Sequence, residues 1–150
     1  MNMDQDAHPF LKETTRGFAG AGGDFQVRIA GRFESSHYLY RYFPDGSDEP
    51  MHGHSWLVEV FMSRDDGGTG ENGISVDFLA ARLRLNEMTD RLEHVCLNHL
   101  EEFRRVNPTA ENLARWFYMG LRPEAEKSRG RVREIRVHEG PDNYAIYRPA

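Results

Sequence analysis

Three histidines have the spacing of a metal site. His52 and His54 flank Gly53 at the start of an apolar run that predicts a strand. Side chains two residues apart on a strand share a face, so both imidazoles can reach one ion. His37 ends the preceding predicted strand, and a hairpin-like return would bring it near the pair. Three neutral imidazoles with an open fourth position are typical of catalytic zinc, although three ordinary surface or core histidines would give the same pattern.

The strands that must position these histidines are predicted from the alternation of apolar and polar residues. The predicted strands run from Phe25 towards His37, over His54–Met62, around Ile135 and Val137, and over Tyr144–Tyr147.

Two amphipathic helices are predicted between the second and third strands. Asp77 is the predicted N-cap of the first helix and Thr109 that of the second, and Pro123 is expected to help end the second helix. The apolar positions recur at steps of three and four: Phe78, Ala81, Leu85, Met88 and Leu92, then Ala110, Leu113, Phe117 and Leu121. The order β-β-α-α-β-β predicts an α+β fold.

Composition limits the classes of function. The chain has 150 residues, which fits a single domain over residues 24–150 after a Gly-rich, flexible extension over residues 1–23. A net charge of −5 argues against nucleic acid as a partner, and no apolar run is long enough to cross a membrane. Cys96 is the single cysteine, so no intrachain disulfide can form, and a cytoplasmic location is expected.

The order and separation of several short segments resemble the 6-pyruvoyl-tetrahydropterin synthase / 6-carboxytetrahydropterin synthase family. The resemblance runs from about Phe25 to Tyr147. It is carried by Phe33-Glu34-Ser35-Ser36-His37, His52-Gly53-His54-Ser55, Val76-Asp77-Phe78, Leu92-Glu93-His94, Leu97-Asn98, Pro108-Thr109-Ala110-Glu111-Asn112 and Glu139.

This resemblance implies a fold, an assembly and a set of site residues. It implies the tunnelling fold (T-fold), an antiparallel sheet with two helices on one face, whose subunits join into a barrel as trimers or hexamers with active sites at their interfaces. The family's three zinc ligands match His37, His52 and His54. Its pterin-anchoring glutamate matches Glu139, and Thr109 matches a threonine that can contact the pterin as well as cap its helix.

The loop before His52 departs from the main family pattern. Members that make 6-pyruvoyl- or 6-carboxytetrahydropterin have a cysteine there, paired with an Asp-His couple, whereas this loop has none and the couple reads Glu93-His94. Cys96 is expected to be only a small buried residue. Glu49 fits the Glu-x-x-His-Gly-His pattern of a type III branch, and that resemblance implies Glu49 as general base and Glu93-His94 as proton donor.

Three functions therefore remain open. The first is a zinc-dependent lyase that cuts the side chain of 7,8-dihydroneopterin triphosphate to leave 6-hydroxymethyl-7,8-dihydropterin, a folate precursor. The second is a 6-carboxytetrahydropterin synthase for queuosine or deazapurine synthesis. The third is a T-fold protein that binds a pterin or purine without chemistry. The missing loop cysteine weakens the second, and the complete set of three histidines weakens the third.

Overall fold

The computed structural model describes residues 22–150 and contains a four-stranded antiparallel sheet with two α-helices. The elements are β1 (Val27–His37), β2 (His52–Ser63), α1 (Leu79–Leu92), α2 (Ala110–Lys127), β3 (Arg131–Glu139) and β4 (Asn143–Tyr147). Two short 3-10 helices, Leu97–His99 and Glu101–Phe103, connect α1 to α2. The predicted order β-β-α-α-β-β is confirmed, while most of the predicted extension over residues 1–23 lies outside the described residues.

The sheet order is β1-β2-β3-β4, so each strand pairs with its neighbour in the chain. Alternate residues of the strands point to the face that the helices cover, as a period of two requires. α1 packs against β1 and against α2, while α2 packs against β3 and β4. The buried core lies between this face and the apolar stripes of the two helices.

The close approach of α1 to the sheet depends on Gly31. A Cβ at this position would lie 3.0 Å from Thr89 Cγ2 and 3.2 Å from Leu85 Cγ. Any larger residue would therefore push α1 away from β1.

Several predicted boundaries differ from the structure. β1 starts at Val27, because Phe25 is 56% exposed and its amide donates to the carbonyl of Gly67 instead of to a strand. α1 starts at Leu79, so Asp77 is not its N-cap, although the Asp77 carboxylate accepts a hydrogen bond from the amide of Leu79. Phe78, expected on the buried stripe, is 45% exposed.

Pro123 does not end α2. The helix continues through Pro123 to Lys127, and its last turn buries Ala125. A proline inside a helix removes the hydrogen bond to the carbonyl four residues earlier, here that of Met119. Met119 lies on the exposed side of the helix, where water can reach it. Packing of the last turn therefore overrides the helix-breaking tendency of Pro123.

Candidate metal and substrate site

The three predicted ligands meet at one end of the sheet. His37 is the last residue of β1 and pairs directly with His52, the first residue of β2. His54 is the next residue on the same face of β2. Because this face is the one that carries the core, the histidines continue the row of buried side chains just beyond Trp56. The spatial grouping predicted for the three histidines is confirmed.

The imidazole nitrogens lie close enough together to share one ion, and one pair has the separation expected for tetrahedral zinc. His37 Nε2 is 3.2 Å from His52 Nε2, and one ligand atom from each of the three histidines and Glu139 falls within 4.8 Å of the others. Tetrahedral zinc with metal–nitrogen bonds of about 2.0–2.1 Å would hold its ligands about 3.3 Å apart.

Backbone carbonyls fix the orientation of two of these rings. His37 Nδ1 lies 2.8 Å from the carbonyl oxygen of Pro108, and His52 Nδ1 lies 2.9 Å from that of Pro50. A carbonyl only accepts, so both Nδ1 atoms donate, and the Nε2 lone pairs face each other when the rings are neutral. Such a pair repels unless a cation, either a proton or a metal ion, lies between the nitrogens. A carbonyl on the outer ring nitrogen is the usual support of a metal-binding histidine.

His54 adds a second sign that the cluster needs a ligand. Its Nε2 is buried and has no well-formed hydrogen-bond partner within the described chain. Buried polar atoms are normally paired, so this nitrogen is suited to a metal or substrate. The donor set and the orphaned nitrogen therefore fit a zinc ion.

Glu139 lies in the same cluster. Its Oε1 is 2.9 Å from His37 Nε2 and 3.2 Å from His54 Nε2. The carboxylate reaches the histidines because Glu139, the last residue of β3, pairs with Trp56 on β2. The sequence predicts Glu139 as a substrate-binding residue, and the structure adds that its carboxylate can also approach a metal held by the histidines.

The cluster changes the protonation of its own members. Burial lowers the pKa of His37, but its contacts with the Glu139 carboxylate and the Pro108 carbonyl outweigh burial, so this pKa lies above 6.5. The hydrogen bond with His37 holds the pKa of Glu139 below 4.5, against its partial burial. Burial lowers the pKa of His54, and the nearby His37 and His52 lower it further against the opposing effect of Glu139. His54 is therefore ready to offer a neutral nitrogen at neutral pH.

Glu49 lies beside this group. Its Oε2 is 4.0 Å from His52 Nδ1, is buried, and has no hydrogen-bond partner in the described chain. The backbone amide of Glu49 donates to the carbonyl of Leu39, which ties the loop across its base. A buried oxygen with an open lone pair can accept a proton from a bound molecule.

Glu93 and His94 are not part of the histidine cluster, although His94 lines a groove together with His54. The metal-capable group found among residues 22–150 does not include them, and the His94 side chain is 77% exposed. His94 Nε2 is 3.1 Å from Glu93 Oε1, while Glu93 Oε2 accepts a hydrogen bond from the amide of Glu34. His94 also has a positive φ of 55°, an uncommon backbone conformation for a residue other than glycine. The acid–histidine pair exists, but it lies outside the histidine cluster of its own chain.

Thr109 caps α2, as predicted. Its hydroxyl accepts a hydrogen bond from the amide of Asn112 at 3.2 Å. It directly follows Pro108, whose carbonyl holds His37, so the start of α2 lies next to the metal cluster. Contact of Thr109 with a pterin stays a prediction.

Cys96 is half-buried and is not part of the metal-capable group of the described chain. It lines a groove together with Glu34, His54 and His94.

Asn98 and Asn107 make contacts with the loop backbone that the sequence does not predict. Each side-chain amide pairs with both backbone groups of one residue in the loop after His37. For Asn107, the position before a proline and a helix cap is a local signal, but it does not reveal which backbone the amide meets.

No helix among residues 22–150 is long and apolar enough to cross a membrane.

The family model described as 6-pyruvoyl tetrahydropterin synthase matches residues 26–150. A protein of Archaeoglobus fulgidus provisionally named 6-carboxy-5,6,7,8-tetrahydropterin synthase is 32% identical over 122 residues, 81% of this chain and 94% of the relative.

Solved structures show the same fold. The 6-pyruvoyl tetrahydropterin synthase of Caenorhabditis elegans aligns with a TM-score of 0.67 at 17% identity, covering 84% of this chain and 96% of that one. A Plasmodium vivax 6-pyruvoyltetrahydropterin synthase, solved with a catalytic glutamate replaced by alanine, aligns with a TM-score of 0.60 at 16% identity, covering 84% and 99%. The four-stranded antiparallel sheet with its two helices is thus the T-fold, and the chain belongs to the 6-pyruvoyl tetrahydropterin synthase family.

Proposed function

We propose that this protein is a zinc-dependent lyase that cleaves the side chain of 7,8-dihydroneopterin triphosphate and leaves 6-hydroxymethyl-7,8-dihydropterin. The observation that carries the proposal is the buried, unpartnered Glu49 oxygen beside a group of three histidines that could hold a metal. The loop from Tyr38 to Met51 contains no cysteine, so its carboxylates are the groups able to act as a base there.

His37, His52 and His54 would hold the zinc ion through their Nε2 atoms. When bound, zinc supplies a Lewis acid that makes the side-chain hydroxyls of the substrate more acidic. The carbonyls of Pro108 and Pro50 keep the Nε2 atoms of His37 and His52 turned inward for this task.

Glu49 then acts as the general base. It takes the proton of the hydroxyl on the second side-chain carbon, and the bond between the first and second carbons breaks. The second carbon leaves as an aldehyde that keeps the triphosphate end, while the first carbon takes up a proton to complete the hydroxymethyl group. A catalytic glutamate in the Plasmodium vivax relative supports a carboxylate in this role.

We assign the returning proton to His94, oriented by Glu93. Because His94 is exposed and lies outside the histidine cluster of its own chain, it would serve the site of a neighbouring subunit. The active unit would therefore be a homo-oligomer, a trimer or a hexamer, formed from residues 24–150.

Glu139 and Thr109 would bind the pterin. The amino-pyrimidine edge of a pterin offers two adjacent N–H donors, which suit one carboxylate. The low pKa of Glu139 keeps that carboxylate charged at neutral pH.

A second candidate is 6-carboxytetrahydropterin synthase activity. It is favoured by the name of the Archaeoglobus fulgidus relative at 32% identity. A third candidate, pterin binding without chemistry, would leave the unpaired Glu49 oxygen unexplained.

The test is incubation of the zinc-loaded protein with 7,8-dihydroneopterin triphosphate, followed by identification of the pterins. We expect 6-hydroxymethyl-7,8-dihydropterin together with an equal amount of the aldehyde triphosphate. Formation of 6-carboxy-5,6,7,8-tetrahydropterin would support the second candidate instead, and recovery of unchanged, bound substrate would support the third.

A further inference from the structure

The loop between β1 and β2 must hold Glu49 at a fixed distance from the histidines, and it covers residues 38–51. A surface loop of this length costs considerable conformational entropy to order. Two asparagines make contacts that hold this loop at the end of the sheet where the histidines lie.

The side-chain amides of Asn98 and Asn107 each form two hydrogen bonds with the backbone of one loop residue, as a neighbouring strand would. Asn98 Oδ1 accepts from the amide of Tyr38 at 3.0 Å, and its Nδ2 donates to the Tyr38 carbonyl at 2.8 Å. Asn107 does the same with Tyr40, at 2.7 Å from the amide and 3.3 Å to the carbonyl. Asn98 is only 2% exposed, so its pairing takes place away from water. We call these two residues the asparagine clamp.

The clamp extends the edge of β1 beyond the end of the strand. The amide of Ser36 donates to the carbonyl of Val95, and the clamp then pairs Tyr38 and Tyr40, the next two alternate residues. Alternate residues of an extended chain present their backbone groups to the same side. Beyond His37, side-chain amides therefore supply the backbone partners that a neighbouring strand would otherwise provide.

The same segment reaches both the metal ligand and the proposed base. Asn107 precedes Pro108, whose carbonyl orients His37, and the carbonyl of Asn107 accepts from the Thr109 amide and from Asn112 Nδ2. Leu39, between the two clamped residues, accepts the hydrogen bond from the Glu49 amide. A shift at the clamp would consequently disturb the contacts of both His37 and Glu49.

We propose that Asn98 and Asn107 are positioning residues that set the place of Glu49 relative to the histidine cluster, an inference that rests on the proposed function of Glu49. Their amides are needed because each must donate and accept at once. A misplacement of about 1 Å far from the reacting atoms can cost about 10²-fold in rate.

The test compares Asn107→Asp with Asn86→Asp, a matched control on the exposed side of α1. The aspartate introduced by Asn107→Asp has roughly the size of asparagine, but a carboxylate oxygen would face the Tyr40 carbonyl in place of the N–H donor. We expect Asn107→Asp to speed amide hydrogen exchange at Tyr40 and Glu49 by at least about tenfold. We also expect it to shift the visible spectrum of bound cobalt(II), while the control changes neither.

Turnover supplies the second readout. We expect Asn107→Asp to lower kcat by about ten- to a hundredfold with little change in KM. In a protein that already carries Glu49→Gln, Asn107→Asp should lower kcat much less. The effects of two substitutions that act through one group are not additive. If Asn107→Asp does not fold, Asn107→Ala removes the same pairing without adding charge, and Asn98→Ala repeats the comparison at Tyr38.

Unchanged exchange at Glu49 in a folded clamp variant would overturn the proposal. An equal loss of kcat with and without Glu49→Gln would also overturn it, because the clamp would then act through another group. If Glu49→Gln itself keeps full turnover, the proposed base is wrong, and the exchange and cobalt(II) readouts still decide whether the clamp positions the loop.

Discussion

At the scale of single residues, the histidine cluster is the part of the site that the sequence predicts best. The spacing of His52 and His54 and the position of His37 at a strand end are local features, and strand pairing brings them together. The approach of Glu139 is less predictable, because it depends on the register between β2 and β3. The pairing of Asn98 and Asn107 with the loop backbone cannot be predicted from sequence spacing, since it joins segments that are far apart in the chain and lack a repeating pattern.

Metal content is the first prediction at this scale. Protein purified without chelator should contain about one zinc per chain, because three histidines with an inward-facing nitrogen pair can share one ion. His54→Ala should lose most of that zinc, whereas His99→Ala, an exposed histidine in a 3-10 helix, should retain it. Elemental analysis checks both, and a metal-free wild-type protein would remove the basis for zinc chemistry.

The His37–Glu139 pair predicts a pH dependence of stability in metal-free protein. The pKa of Glu139 is lowered, so its contribution is present above about pH 4.5 and is lost as the pH falls through its folded pKa. The pKa of His37 is raised, so its contribution is present below about pH 6.5 and is lost as the pH rises through its folded pKa. The ion pair therefore stabilises the fold most between these two values.

Glu139→Gln should accordingly lower the unfolding temperature more at about pH 5.5 than at about pH 8.5. Thermal unfolding of chelator-treated protein measures this difference, with the exposed loop variant Glu71→Gln as control. Equal losses at both pH values would show that the His37–Glu139 ion pair does not cause the pH dependence of stability.

At the scale of elements, the buried helix stripes follow the apolar period, and the errors lie at the boundaries. Pro123 predicts a helix end, but the burial of Ala125 extends α2 by a further turn. Local signals mark where a helix can stop, while tertiary packing decides where it does stop.

The cap of α2 gives a prediction at this scale. Thr109→Ala should lower the free energy of unfolding by about 1 kcal/mol, because the Asn112 amide loses its acceptor. Thr109→Ser keeps the hydroxyl, so its free energy of unfolding should fall much less. Urea unfolding at one fixed protein concentration compares the variants, and an equal loss from both would show that the methyl group, not the cap, matters.

At the scale of the whole molecule, β1 and β4 form the two edges of the sheet. Exposed edges are prone to pair with other strands, and closing a barrel removes them. Tyr144 and Ile146 of β4 are exposed apolar side chains that such pairing could cover. The sequence suggests this assembly only through the family resemblance, because neither the open sheet edges nor the position of His94 outside the cluster can be read from the order of residues alone.

We therefore predict a trimer or a hexamer in solution, with each site completed by His94 of a neighbouring chain. Light scattering at micromolar concentration measures the mass directly. Mixing inactive Glu49→Gln chains with inactive His94→Ala chains should restore part of the activity if the two residues work across an interface. A monomer that turns over substrate would contradict this arrangement.

The central claim is that Glu49 is the working base beside a zinc ion held by three histidines, and turnover of Glu49→Gln with measured zinc content tests it most directly. We predict a loss of about 10²–10⁴ in kcat for conversion of 7,8-dihydroneopterin triphosphate to 6-hydroxymethyl-7,8-dihydropterin, with the fold and zinc content unchanged. Cys96→Ala should leave turnover nearly intact. Full activity of the zinc-loaded Glu49→Gln protein would contradict the claim and move the proton transfer to another group.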